Sequence, residues 1–374
     1  MTPFRPVWAE VDLAAVAANV AAIRAHVAPA GVLAVVKADA YGHGAVAVGA
    51  VALEAGAHGL AVALVEEGME LRDAGITAPV LVLSEPVPDA ADAVVEQRLT
   101  PVVYTRAGIE ALAKAVASHD ATRPLPVHLK VDTGMNRVGC DPQAAPDLAG
   151  EIAHRPELLL AGTCTHFAVA DEPGNPYTRH QLDTFERLLS RLRSAGIDPG
   201  VVHACNTAGA LAVAGARFDL VRAGIGIYGI APVPELHGVV PLAAALALKA
   251  RVSFVKSVAA GTRVSYGLHY ETPRATRIAT VPAGYADGVP RNLGITGGEA
   301  LVHGRRCAIA GTVTMDQLML DVGELPVEPG DEVVLLGRQG ADEITAAEWA
   351  QRLGTIPYEI VCGIGARVPR QYVS

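Results

Sequence analysis

A lysine at the end of an apolar run is the first residue in this sequence whose surroundings suggest chemistry. Val32-Leu33-Ala34-Val35-Val36 leads directly into Lys37-Ala38-Asp39-Ala40-Tyr41-Gly42-His43-Gly44. Burying an ammonium is expensive. A lysine in this position either snorkels or pairs with Asp39, or it has a lowered pKa and acts as an amine nucleophile able to form a Schiff base. Position alone leaves both readings open.

Three other segments carry matching chemistry. His128-Leu129-Lys130-Val131-Asp132 runs into a loop with Gly134, Arg137 and Gly139, offering a guanidinium suited to a carboxylate. Val202-His203-Ala204-Cys205-Asn206-Thr207-Ala208-Gly209 puts small polar groups at an expected helix N-terminus, where a phosphate can bind. Arg222-Ala223-Gly224-Ile225-Gly226 offers backbone amides for a second phosphate grip. Each is weak alone, since a Gly-rich turn is usually only a turn and an arginine usually a solvated charge. Together they match what pyridoxal phosphate requires: a lysine amine, a phosphate cup and a partner for the ring nitrogen.

These groups need a scaffold that brings several strand ends together. Eight apolar runs alternate with amphipathic stretches: Leu33–Val36, Gly59–Val62, Val80–Leu83, Val102–Tyr104, Val127–Val131, Leu158–Thr163, Val201–Ala204 and Asp219–Arg222. A first helix is expected from the N-cap Asp12 through Leu13, Val16, Val20, Ile23 and Val27, and others over Asp89–Gln97, Thr105–Ser118 and Gln181–Ala195. A right-handed βα succession of this length closes most simply as an eight-stranded (β/α)8 barrel of the TIM type, with function at the C-terminal strand ends. An open doubly wound sheet is the alternative. After Leu236 the rhythm becomes β-rich, over Ala250–Val258, Arg277–Val281, Glu299–Ile309, Gln317–Val322 and Glu332–Leu336, with one helix near Thr345–Arg352. The expected division is a barrel over 9–236 and a C-terminal mainly β domain over 237–374, joined by residues 1–8, with a hinge at Ile230–Pro234.

Composition narrows the function classes. The chain has 374 residues, 51% of them hydrophobic, and a net charge of -9, which excludes a largely disordered chain and predicts two domains. That acidic balance predicts no nucleic-acid or membrane-surface partner. Glu10 and Asp12 arrive too early for a signal peptide, and the least polar stretch, residues 45–65, is broken by Glu54 and His58, so no membrane span is expected. Five widely spaced cysteines predict neither disulfides nor a metal site, and a reducing cytoplasm fits.

Six ordered motifs resemble the bacterial alanine racemases, fold-type III pyridoxal phosphate enzymes. They are Ala34–Gly44, Asp132–Arg137, Arg222–Ile225, Val264–Gly267, Gly284–Gly288 and Met315–Gln317. The resemblance spans nearly the whole chain. It implies a barrel plus β domain, a head-to-tail homodimer with active sites at the interface, pyridoxal 5'-phosphate as cofactor, and an isomerase that interconverts L- and D-alanine for peptidoglycan. It makes Lys37 the covalent cofactor residue and one of two bases, and Tyr266 of the partner subunit the other. Two bases on opposite faces are what racemisation needs.

The same resemblance places Arg222 against the ring nitrogen with His203 behind it. An arginine cannot leave a proton on that nitrogen, which weakens the electron sink and limits side reactions such as transamination. Tyr41, Asn206, Thr207, Gly224, Ile225 and Tyr358 would bind the cofactor, chiefly its phosphate, and His166 would lie against its ring or contact Tyr266, unless it is only structural. Arg137 and Met315 would hold the substrate carboxylate and Tyr285 would shape a methyl-sized pocket, with Asp316 in support. Lys130 stands where many family members carry a carbamylated lysine, and Asp171 and Arg291 would form a polar gate. Thr312 and Thr314 depart from the arginine and cysteine that relatives often carry, which leaves a broad-specificity or serine-preferring racemase as the near alternative. A decarboxylase lacks its motifs here, and a single-domain pyridoxal-phosphate-binding protein lacks the second domain.

Overall fold

The computed structural model describes residues 4–119 and 123–374. They divide into two compact units: a barrel unit of Val16–Ala40 and Ala45–Ala243, and a sheet unit of the leading residues through Ala15, Tyr41–Gly44 and Ala244–Ser374. Of the leading segment 1–8 assigned to the second domain, residues 1–3 lie outside the described residues.

All eight expected barrel strands form, and they close as a parallel barrel. They run Gly31–Val35, Gly59–Val62, Val80–Val82, Thr100–Val103, Leu125–Lys130, Leu158–Cys164, Val201–His203 and Leu220–Ala223. The first and last strands close it, with Leu33 opposite Arg222. Helices return the chain between strands, and their caps explain their starts. Asp12 accepts the Ala15 amide at 2.8 Å ahead of helix Leu13–Val27, whose Val16, Val20, Ile23 and Val27 are buried. Thr105 likewise accepts the Gly108 amide at 3.0 Å. The helix expected to begin at Gln181 begins at Pro176 instead, because Asn175 caps the Tyr177 amide and proline suits the first helical position.

The sheet unit is built from distant parts of the chain. Its ladder runs Phe254–Val258, Thr276–Val281, Leu318–Gly323, Arg305–Ile309, Glu299–Val302, Glu332–Gln339, Leu246–Arg251, Val7–Asp12 and Arg370–Val373. The sequence reading did not mark Val7–Asp12 as a strand. It pairs antiparallel with Leu246–Arg251 and parallel with Arg370–Val373, burying Val7, Ala9 and Val11. The run Ala250–Val258 is two strands, since at Val252 and Ser253 the chain changes partners, bonding first to Asp331 and then to Thr280. Glu299–Ile309 is a hairpin turning at His303 and Gly304, both at positive φ as a two-residue turn demands.

Residues 230–234 do not end the barrel unit. Leu236 and Val240 are buried, and Asn19 holds Ala243 by two hydrogen bonds of 2.8 Å, so the segment stays with the barrel and the division falls at Ala243. Among the described residues, no helix is long and apolar enough to cross a membrane.

Helix Ala346–Leu353, capped by Thr345, buries Trp349 completely in the sheet unit's core. The Trp349 Nε1–H has no hydrogen-bond partner among the described residues. Trp349→Ala is therefore expected to cost about 3–5 kcal/mol in denaturant unfolding. Trp349→Phe, which loses no hydrogen bond, should cost less than half as much.

Candidate active site

Lys37 follows a strand end whose Val35 and Val36 are buried, and it is itself half-buried. Gly42 and Gly44 would be the ordinary source of a left-handed turn here. The backbone shows otherwise: Ala38, Asp39, Ala40 and Tyr41 take φ of 51°, 52°, 52° and 54°, and Gly42 81°. This is a left-handed helical turn made by four consecutive non-glycine residues, each costing roughly 1–2 kcal/mol relative to right-handed backbone. Neighbours restrain it. Ala38 N–H donates to Glu67 at 2.6 Å, Ala40 N–H to the Val36 carbonyl at 2.8 Å, and Asp39 accepts the Ala45 amide at 2.8 Å.

At the last barrel strand, Arg222 lies buried with no carboxylate in contact among the described residues. Its Nη1 donates to His203 Nδ1 at 2.6 Å, and its Nη2 to the Thr165 and Ala204 carbonyls, both at 2.8 Å, and to His166 Nδ1 at 3.0 Å. A guanidinium only donates, so both Nδ1 atoms must accept. Neutral His203 therefore carries its proton on Nε2 and passes it as a hydrogen bond to His128 Nδ1, 2.8 Å away. Burial, and then the Arg222 charge, hold His203 and His166 well below the ordinary imidazole range, and His128 at about 4. His128 belongs to this chain of contacts, although its sequence position on an apolar strand gave no sign of it.

Lys130 is buried and its Nζ donates to the Leu83 carbonyl at 2.8 Å. Burial chiefly, with the cations Arg222, Arg137 and Lys37, pushes its ammonium down to about 8. Arg137 is exposed on a loop shaped by Asp132, which accepts the Gly134 and Asn136 amides. Gly139 at φ 129° brings the loop back so tightly that a Cβ there would lie 2.6 Å from Asp132 N. A buried glutamine missed by the sequence reading braces this region. Gln181 donates to the His166 carbonyl and to Thr133 Oγ1 while accepting the Ala168 amide.

The seventh and eighth strand ends meet through Thr207. Its Oγ1 accepts the amides of Gly224 at 2.9 Å and Gly226 at 3.4 Å, leaving its own hydrogen to donate. Asn206 caps the short helix Thr207–Ala212 through the Gly209 amide. Ile225 opens the 3-10 turn Ile225–Tyr228, where a first-turn amide has no intrahelical acceptor. Hydroxyl and amide donors without a carboxylate suit a dianion, so these residues fit a phosphate. Asp171 is exposed in the loop after the sixth strand.

The sheet unit carries the other expected residues. Tyr41 and Tyr358 pack with ring centroids 5.9 Å apart, and burial drives the Tyr41 hydroxyl pKa upward. Tyr285 N and Ala286 N donate to the Thr314 and Met315 carbonyls, which places Tyr285 beside Met315. Gly284 must be glycine there, because a Cβ would collide with those same carbonyls. Asp316 pairs with Arg367 at 2.8 Å. Arg291 is exposed, and its carbonyl accepts the Val313 amide. Tyr266 is 70% exposed between Ser265 and Gly267, both at positive φ, and Met315 is 53% exposed. Unmarked by the sequence reading, fully buried Asp287 accepts both terminal nitrogens of Arg5 at 2.8 and 2.7 Å.

Residues 11–232 match the family model for the alanine racemase N-terminal domain, and residues 245–372 that for its C-terminal domain. The chain belongs to the alanine racemase family. It is 49% identical to an alanine racemase of Symbiobacterium thermophilum, covering 98% of this chain and 97% of the relative, and 42% identical to one of Halothermothrix orenii over 98% and 97%. The solved alanine racemase of D-cycloserine-producing Streptomyces lavendulae superposes with a TM-score of 0.93 at 42% identity, covering 100% and 98% of the two chains. That of Bacillus anthracis, solved with bound L-Ala-P, gives 0.92 at 40% identity over 100% and 96%. The two family domains leave residues 233–244 between them, and the Asn19-held segment falls there.

The neutral histidines predict a pH dependence. Between an ordinary value of 6.5 and the folded value of about 4, the unfolded chain binds a proton at His128 that the folded chain refuses. Stability therefore rises with pH in that window and falls on acidification, by up to ~1.4 kcal/mol per pH unit from this group. Denaturant titrations across the window should show that slope, and His128→Gln, which keeps an acceptor for His203, should reduce it by that amount.

Proposed function

We propose that the protein is an alanine racemase that interconverts L- and D-alanine with pyridoxal 5'-phosphate held at the C-terminal ends of the barrel strands. The observation that carries this reading is the carboxylate-free Arg222 guanidinium on the strand that pairs with the one leading to Lys37. When bound, the cofactor supplies an electron sink that acidifies the Cα–H of an amino acid joined to it.

The reading assigns the covalent bond to Lys37 Nζ. The phosphate would be held by the Thr207 hydroxyl, the Gly224 and Ile225 region and Asn206, with the Tyr41 and Tyr358 hydroxyls as further expected donors. Arg222, oriented by His203 and with His166 beside it, would face the ring nitrogen as a permanent donor. Because an arginine would not give up a proton to that nitrogen, it would weaken the electron sink and favour return of the proton to Cα. Lys37 Nζ takes or returns the proton on one face, and Tyr266 Oη of the partner subunit does so on the other.

Arg137 and Met315 are assigned to the substrate carboxylate, with Tyr285 closing the pocket, Asp316 in support, and Asp171 and Arg291 at its entrance. Lys130, lowered to about 8 beside three cations, has neutral amine to react with carbon dioxide near neutral pH. The resulting carbamate would place an anion where those cations converge and would orient Arg137. The exposure of Tyr266, Leu268, Tyr285 and Met315 supports a homodimer in which a second copy covers them.

The test is a spectrum and a chiral assay on the purified protein. Cofactor absorbance that disappears in Lys37→Ala is expected, and unchanged colour in that variant would sink the assignment. Across a panel of amino acids, alanine should interconvert fastest, and faster turnover of serine would support the serine-preferring alternative instead. Tyr266→Phe should lower both directions by about 10²-fold or more, the usual weight of a proton-transferring group. In Lys130→Ala, a short carboxylic acid should restore part of the lost rate. Activity should also fall on dilution as the dimer separates.

A further inference from the structure

Lys37 is followed by a turn that backbone preference opposes, so something outside the turn must define it. The residue best placed to do so is Glu67, in the first turn of helix Val65–Asp73 after the second barrel strand. One carboxylate oxygen accepts the Ala38 amide at 2.6 Å. The other accepts the amides of Ala63 at 2.7 Å and Leu64 at 3.1 Å. The same carboxylate thus closes a helix cap and grips the peptide that leaves Lys37.

We propose that Glu67 is a positioning residue for Lys37, a strap from the second strand end that holds the left-handed turn and thereby aims the lysine side chain into the site. This rests on the reading of Lys37 as the cofactor-binding amine. The chemistry of the contact demands a carboxylate. All three partners are N–H donors, and only an ionised acid presents acceptors on both of its oxygens. A glutamine has one acceptor, so its NH2 would face either Ala38 or the Ala63–Leu64 pair, donor against donor. An aspartate, one methylene shorter, can keep the two nearby cap amides while falling short of Ala38. Either substitution therefore separates the two tasks of Glu67: Asp retains the cap and releases the turn, and Gln, whose one acceptor keeps two bonds at the cap against one at Ala38, turns its NH2 on the Ala38 amide and releases the turn as well.

The released turn has a lower-energy course available. Ala38, Asp39 and Ala40 all favour right-handed backbone, and their relaxation would rotate the peptide that fixes the Lys37 Cα–Cβ direction. Lysine remains present and ionisable, but its amine is presented in the wrong place.

The experiment uses full-length wild type, Glu67→Asp, Glu67→Gln and, as control, Val65→Ala, which removes a buried side chain from the same helix and leaves the carboxylate in place. Each protein, freed of cofactor, is mixed with pyridoxal 5'-phosphate and sampled with borohydride, and the modified Lys37 peptide is counted by mass spectrometry. The holoenzymes supply kcat and KM for alanine, and thermal unfolding supplies Tm. Expected are capture at Lys37 slowed about tenfold in Glu67→Asp and Glu67→Gln, the change that ~1.4 kcal/mol would produce, and kcat lowered with KM nearly unchanged. Glu67→Asp should unfold near the wild-type Tm. Val65→Ala, with the lower Tm, should capture at the wild-type rate. Wild-type capture rates in both Glu67 variants would overturn the proposal, as would equal slowing in Val65→Ala. A wild type that is never modified at Lys37 would overturn the cofactor reading itself, and this inference with it.

Discussion

A guanidinium buried at the mouth of a barrel without a carboxylate sets the terms for everything around it. Arg222 carries a charge whose removal from water costs several kcal/mol, and the chain compensates with neutral acceptors alone. Two carbonyls and two imidazole nitrogens converge on it, from the loop beyond the sixth strand and from the seventh strand and its end. This fixes the tautomers of His203, His166 and, at one remove, His128. Burial chiefly lowers the ammonium of Lys130, and the Arg222 charge adds to that effect. A carboxylate in the same place would satisfy the arginine more cheaply. It would also quench the positive field that Arg222 gives to this end of the barrel.

The other side of the floor is governed by strain rather than charge. Lys37 is followed by four non-glycine residues in left-handed backbone, a cost that persists only where surroundings over-determine the conformation. Strain and buried charge thus sit on adjacent strands, the first and the eighth, whose pairing closes the barrel. The most regular part of the structure, the parallel ladder, supports its two least comfortable features.

What could be read from the sequence follows from how local each signal was. Parallel barrel strands covered on both faces appear as unbroken apolar runs, so all eight were legible, and Lys37 and Arg222 stood out as charges at their ends. The left-handed turn was not legible, because Ala-Asp-Ala-Tyr has no glycine and looks like an ordinary helical start. Glu67, next to Glu66, has the sequence context of a solvated helix carboxylate, and nothing local announces its three amide partners. Gln181 was hidden in the same way within a polar helix face. That the segment after the last barrel strand stays with the barrel unit was not legible, because Asn19, more than two hundred residues upstream, holds Ala243. Strand Val7–Asp12 was missed because its partners lie at 246–251 and 370–373.

That last strand has a consequence for the order in which the molecule can be made. Every strand of the barrel lies between residues 31 and 223, so its sheet is encoded without interruption. Val7–Asp12 is made before the barrel, yet its antiparallel neighbour Leu246–Arg251 and its parallel neighbour Arg370–Val373 are both made after it. Because domains fold as they emerge, the barrel can close while this first-made strand still waits unpaired. Val7–Asp12 therefore lacks both ladder partners until Leu246–Arg251 and then Arg370–Val373 have been made, and without Arg370–Val373 one side of it would stay unpaired, a template for association with other chains.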